Sequence, residues 1–150
     1  MEFSNQIRTR KIKRVFNIGG IIIVLAGLIL LWLKMDLAVL ITAGVFIVYV
    51  GISLYPNLCY VYFSTENEKV IIRYYPIITF LKKDYESIEF SKSALFNFKI
   101  ESAMGFADLD IVIRTKRGVA EFPTVSLAAL SKAEVEQIRQ ALLEIMKSNK

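Results

Sequence analysis

The chain has 150 residues, 55% hydrophobic and 22% charged, with nineteen basic against fourteen acidic side chains, no histidine and a single cysteine. Without histidine, and with Cys59 alone, it can build neither a Cys/His zinc site, nor a Ser-His-Asp triad, nor an intramolecular disulfide. The net charge of +5 is uneven: residues 1–14 hold five basic residues and one acidic, residues 15–55 one of each, and residues 56–150 thirteen and twelve, so the excess gives little support to nucleic-acid binding.

The arm over residues 1–14 ends in RTRKIKR, which places Arg8, Arg10, Lys11, Lys13 and Arg14 directly before an apolar stretch. From Val15 to Tyr55 the only charges are Lys34 and Asp36. One helix of that length would run about 60 Å and hold both charges near the centre of a bilayer. Split at the charges, residues 15–33 and 37–55 each give a helix of about 28 Å, close to one crossing apiece. A two-helix transmembrane hairpin over 15–55 is therefore expected. Basic residues flanking a span stay on the cytoplasmic side, and a hairpin returns the chain to the side it left. Both termini are then cytoplasmic in a multi-pass protein, and the second span argues against a cleaved signal peptide.

Folding the hairpin at its midpoint brings Gly20 level with Gly51, and Gly27 level with Gly44. Small residues at such a seam let helix backbones approach closely in lipid, although glycine is also simply common in spans. Pro56 is placed to close the second helix, while Trp32, Tyr49, Tyr55 and Tyr60 suit the interfaces. Gly19-Gly20 lacks the phosphate-loop pattern, and two helices with isolated Asn17, Thr42 and Ser53 enclose no pore.

From about Tyr60 the apolar pattern becomes alternating. Val70, Ile72 and Tyr74 share one face of KVIIRYY; Leu109, Ile111 and Ile113 share one face of LDIVIRT, opposite Asp110, Val112 and Arg114. YVYFS, PIITFL, SIEF, ALFNFKI and VAEFP read similarly, with turns at residues 65–68 and 116–118. Six or seven antiparallel strands are expected. At the end, Ser131 and Glu134 form a capping box flanked by Leu130 and Val135, and Val135, Ile138, Leu142 and Ile145 recur at helical spacing. This stripe is expected to close the open core of the sheet.

The order of these segments, from the hairpin through YFSTENEKVIIRYYPII, KKDYESIEF and LDIVIRTKRGVAEFP to the helix, resembles bacterial membrane-linked pleckstrin-homology (PH)-like domains that follow a pair of transmembrane helices. The resemblance covers nearly the whole chain but rests on pattern, with no invariant catalytic motif. It implies a membrane helical hairpin plus an α+β domain over residues 60–150, a PH-like antiparallel barrel or sandwich capped by the C-terminal helix. It further implies a bacterial inner-membrane scaffold or accessory subunit, without enzymatic activity or cofactor, that binds another membrane protein or a second copy of itself. Phosphoinositide binding is not implied, because the loop that clamps phosphates in lipid-reading PH domains here corresponds to STENEK, with Glu66 and Glu68.

Other candidate sites are sparse. Met104 and Phe106 flank Gly105 in an apolar turn and are candidate partner contacts. Lys82, Lys83, Lys116 and Arg117 lie at turns and are candidate contacts to anionic lipid, the basis of an alternative reading as a peripheral lipid sensor. Asp108 and Asp110 could pair as carboxylates but lack a third group; solvent-facing strand residues explain them better. Cys59, beside the membrane, suits either reversible acylation or, more simply, a small buried thiol.

Overall fold

The structure is a computed structural model that describes residues 1–55, 57–79, 85–103 and 105–149. The chain forms two compact units, residues 1–9 with 57–150, and residues 10–56.

The second unit is the hairpin. Helix α1 spans Gln6–Trp32 and helix α2 spans Asp36–Leu54; both are long and apolar enough to cross a membrane. The chain reverses where the charges stand. Lys34 adopts φ 55°, its N–H bonds the Leu31 carbonyl at 3.0 Å, and the Met35 N–H bonds the Leu30 carbonyl at 3.1 Å. These two bonds are a Schellman termination with lysine at the position glycine usually fills. Asp36 then occupies the first turn of α2, where a carboxylate complements the positive helix end. The expected end of α2 at Pro56 lies outside the described residues.

The first unit is built from two antiparallel sheets and one helix. Sheet A has the order β1-β2-β3-β4, with β1 at Glu2–Ser4, β2 at Cys59–Ser64, β3 at Lys69–Pro76 and β4 at Glu86–Ser91. One 3-10 turn, Lys92–Ala94, leads to sheet B, where β5 (Leu95–Ala103) pairs β6 (Phe106–Thr115), and β6 also pairs β7 (Gly118–Glu121) and β8 (Val125–Ser126). Each sheet has four strands and neither closes on itself. Helix α3, Lys132–Ser148, starts on the expected capping box: Ser131 accepts from the Glu134 N–H while the Glu134 carboxylate accepts from the Ser131 N–H.

One core joins these elements. Val61, Phe63, Val70, Ile72 and Ile88 from sheet A meet Leu109, Ile111 and Val125 from sheet B and Ile138, Leu142 and Ile145 from α3. The alternating faces of β3 and β6 and the stripe of α3 thus point inward as expected, with Ile113 and Val135 partly buried against the same cluster. Of the expected strand PIITFL, Pro76 ends β3, residues 77–79 are irregular, and the remainder lies outside the described residues.

The largest departure from expectation is at the N-terminus. Within the basic arm of residues 1–14, β1 pairs β2 with Glu2 opposite Ser64 and Ser4 opposite Tyr62, and α1 begins at Gln6, well before Val15. The sheet therefore starts with a strand that precedes the hairpin and pairs with one that follows it.

Candidate functional site

The end of sheet A where β2 begins is the most elaborated part of the unit. Asn5 is 3% exposed and spans the β1–β2 edge: its side-chain oxygen accepts from the Val61 N–H at 2.9 Å, its amide donates to the Cys59 carbonyl at 3.1 Å, and its own N–H donates to the Val61 carbonyl at 3.3 Å. The Asn5 carbonyl in turn accepts from the N–H and the hydroxyl of buried Thr9, each at 2.9 Å. The Asn5 side chain completes the strand ladder, while its carbonyl accepts the Thr9 N–H in the first turn of α1. The start of α1 is thereby fixed to the start of β2. Arg8 adds a second link, donating to the Ala129 carbonyl at 3.4 Å and pairing with Glu134 at 3.3 Å, the carboxylate that also caps α3.

The same end carries aromatic rings on the outer face. Register places Tyr60 opposite Tyr75, and the pairing of Tyr74 with Glu86 puts Tyr85 next in line. Their centroids lie 4.7 Å apart for Tyr60–Tyr75 and 4.9 Å for Tyr75–Tyr85, and Tyr85 is 69% exposed. Cross-strand rings in such contact stabilise a sheet as one ladder. One rung further along β2, Tyr62 lies under Arg73 and donates to Glu2 at 2.7 Å; beyond that, Lys69 pairs with Glu89 at 2.8 Å. The outer face thus passes from aromatic to charged along its length.

On the inner side of this end, Cys59 is buried, and burial, followed by the nearby charges of Glu86 and Asp108, pushes its thiol up to about 11. Burial and a hydrogen bond to Glu86 likewise raise the Tyr74 hydroxyl well above its ordinary range. A thiol held protonated is a poor nucleophile, so Cys59 fits the small buried thiol of the two readings. Asp110 accepts from Thr124 and faces Lys99 across the ladder, and no group of three metal-ligating residues occurs among the described residues.

The sequence-derived candidates distribute as follows. Phe106 opens β6, half-buried, and follows Gly105 at φ 86°; Met104, Lys82 and Lys83 lie outside the described residues. Lys116 and Arg117 form the exposed turn after β6, so Phe106 and these basic residues are separated by the full strand, roughly 30 Å. The structure does not bring them into one site. The Leu127 N–H donates to the Ala107 carbonyl and Arg8 reaches the Ala129 carbonyl two residues on, so it is the start of β6 that shares an end with the tyrosine ladder. Arg10, Lys11, Lys13 and Arg14 are exposed along α1, whereas Arg8 is engaged with Glu134.

The glycine-to-glycine seam needs correcting. A Cβ at Gly27 would touch Thr42 at 3.6 Å and one at Gly20 would come only within 4.0 Å of Phe46, while Gly44 and Gly51 meet nothing within 4 Å among the described residues. Contacts run from glycines of α1 to larger side chains of α2. The tightest is Gly19, where a Cβ would collide with the Tyr49 ring; that ring stacks on Phe16 at 5.5 Å, and its hydroxyl donates to the Phe16 carbonyl at 2.9 Å.

Comparison with protein-family models, with curated proteins and with solved structures gave no match.

Sequence reasoning missed Asn5, Thr9, Tyr75, Tyr85 and Gly19. The polar residue Asn5 directly before a helix was a usable signal. The ladder needed the strand register, which no local pattern supplies.

Proposed function

We propose that the chain is a bacterial inner-membrane scaffold or accessory subunit, in which the hairpin crosses the bilayer twice and a PH-like domain on the cytoplasmic face binds another membrane protein or a second copy. The observation that carries this reading is the pairing of β1 with β2. A strand before the first apolar helix and a strand after the second belong to one sheet, which two crossings allow and a single crossing forbids. The exposed basic residues Arg10, Lys11, Lys13 and Arg14, next to the apolar part of α1, favour the cytoplasmic side for that sheet.

Two sheets and a C-terminal helix around one core support the PH-like assignment. The strands at the borders of the sheets support the binding role. The four residues of β7 are all exposed, and β7 and β5 border sheet B, so each offers an edge to which an extended segment can add.

Purification from native membranes in mild detergent, followed by native mass spectrometry, tests the reading. A species heavier than one 17.1 kDa chain, whether by a second copy or by a stoichiometric companion, is expected. A lone monomer would remove the scaffold role. Topology is checked separately with Lys150→Cys in a Cys59→Ala background, which should resist an impermeant thiol reagent in intact cells and react after lysis.

A further inference from the structure

We infer that the end of sheet A bearing Tyr60, Tyr75 and Tyr85 rests in the headgroup layer of the bilayer, with the tyrosine ladder as its contact surface. This rests on the reading of the hairpin as membrane-spanning.

Three observations converge on this end. The chain leaves the sheet unit after Thr9 and returns to it at Asn57. Both points lie where β2 begins, because Asn5 is bonded to Cys59 and Val61 and Thr9 is bonded to Asn5. Only residues 55–59 separate the end of α2 from Tyr60, a reach of at most about 20 Å even fully extended. The Glu66 end of the sheet lies roughly 20 Å further along β2. Both chain connections of the sheet unit to the apolar helices are therefore made at the ladder end.

The chemistry agrees with the placement. Tyrosine joins an apolar ring to a hydroxyl and concentrates where acyl chains give way to headgroups. Three rings in contact, from β2, β3 and the residue just before β4, form a continuous surface of that character, with Tyr85 open to its surroundings. Polarity changes along the unit in the same sense. At the ladder end the β5–β6 turn delivers Phe106, while the opposite end displays Glu66, Asn67 and Glu68 and the turn of Lys116 and Arg117. The ladder end also carries the Arg8–Glu134 ion pair, and a headgroup layer accommodates charged groups beside aromatic rings.

The test uses the full chain, with Trp32→Phe to remove the one native tryptophan, reconstituted in bilayers containing anionic phosphatidylglycerol and, in parallel preparations, lipids brominated near the chain ends, which report on Val24→Trp at the middle of the span, or near the glycerol, which report on the two positions in the sheet unit. Single tryptophans are introduced as Val24→Trp in the hairpin, Tyr85→Trp in the ladder and Glu66→Trp at the opposite end. Val24→Trp and Tyr85→Trp should both be quenched, the latter several-fold more than Glu66→Trp. Quenching of Val24→Trp with equal, weak quenching of the other two would overturn the ladder contact and leave the membrane reading standing. Absence of quenching at Val24→Trp would overturn both. Tyr85 is mostly exposed, so replacing it by another aromatic residue leaves the fold intact.

Discussion

In the hairpin, Leu25, Ile29, Leu40 and Ile47 are each more than half exposed, whereas in the sheet unit Phe63, Leu109, Ile138 and Leu142 are sealed from solvent. The residue types are alike and the arrangement is opposite. Helix α3 carries a one-sided stripe and closes a core with it; α1 and α2 carry apolar side chains around their whole circumference and meet each other through a few contacts such as Tyr49 on Phe16. A helix apolar all round requires an apolar medium, supplied by the rest of a protein or by lipid. The same kind of side chain thus supplies cohesion in one unit and compatibility with its surroundings in the other.

The largest expected effect measures that contrast directly. Leu109→Ala should destabilise the sheet unit by about 2–5 kcal/mol, since it deletes a fully buried side chain from a shared core, while Leu40→Ala should change the unit's stability by less than about 0.5 kcal/mol. Denaturant titration of the purified chain in mild detergent, followed through hydrogen exchange of the core strands, reads both. Equal losses would mean that the two units do not hold their apolar residues in different ways.

Asn5 sharpens the comparison, because it lies where one unit passes to the other along the chain. Asn5→Ala strands the buried Val61 N–H and Cys59 carbonyl, and each unsatisfied buried group costs about 1–3 kcal/mol, so a loss of roughly 2–6 kcal/mol is expected, nearer the lower bound where water reaches the strand edge. The loss should appear as faster exchange at Val61 together with fraying of β1. Unchanged exchange there would show that β1 holds to β2 without the asparagine.

How much of this was legible in the sequence follows from the range of the interactions. The turn at Lys34–Asp36 was readable because two charges interrupt an apolar run, and α3 because Ser131, Glu134 and the stripe Ile138–Leu142–Ile145 all act within a few residues. The strands of period two were readable for the same reason. Strand β1 was not: Glu2–Ser4 is too short to show alternation, and its partner lies some sixty residues away across the hairpin. The tyrosine ladder was hidden likewise, since Tyr60, Tyr75 and Tyr85 are neighbours only through register. The glycine spacing misled because equal distance from a turn fixes height along a helix but not the side on which a residue faces. Gly19, one residue from the position chosen, makes the close approach.

A smaller effect separates the units by pH. Cys59 is raised from 9.0 to about 11, so above pH 9 the unfolded chain gives up a proton that the folded unit keeps, and stability falls as pH rises. The stabilising contribution is complete below pH 9 and is lost through about pH 11, amounting to at most roughly 2–3 kcal/mol. Tyr74 titrates from an ordinary value of 10.0 and adds to the decline only above that. Cys59→Ala should therefore flatten the stability profile between pH 9 and 10. A slope that survives the substitution would assign the alkaline loss to another group.

The smallest expected change is a gain. The turn joining β2 to β3 places Asn67 at φ 50° and Glu68 at φ 60°, with the Lys69 N–H bonded to the Glu66 carbonyl at 3.0 Å. Two successive positive φ angles define a type I′ hairpin turn, in which asparagine suits the first position and glycine the second. Glutamate there carries the cost of a left-handed conformation that its Cβ opposes. Glu68→Gly relieves that cost and also increases the freedom of the unfolded chain, which works in the opposite direction. The strain term is the larger, so a net stabilisation of up to about 1 kcal/mol is expected, visible as a higher denaturation midpoint with unchanged slope. No comparable gain should follow from Lys34→Gly in the same assay, although Lys34 has φ 55°, because that turn lies in the hairpin and contributes nothing to the cooperative unfolding of the sheet unit. If Lys34→Gly raised the midpoint as much as Glu68→Gly, the two units would unfold as one, and the contrast between them would be one of chemistry alone.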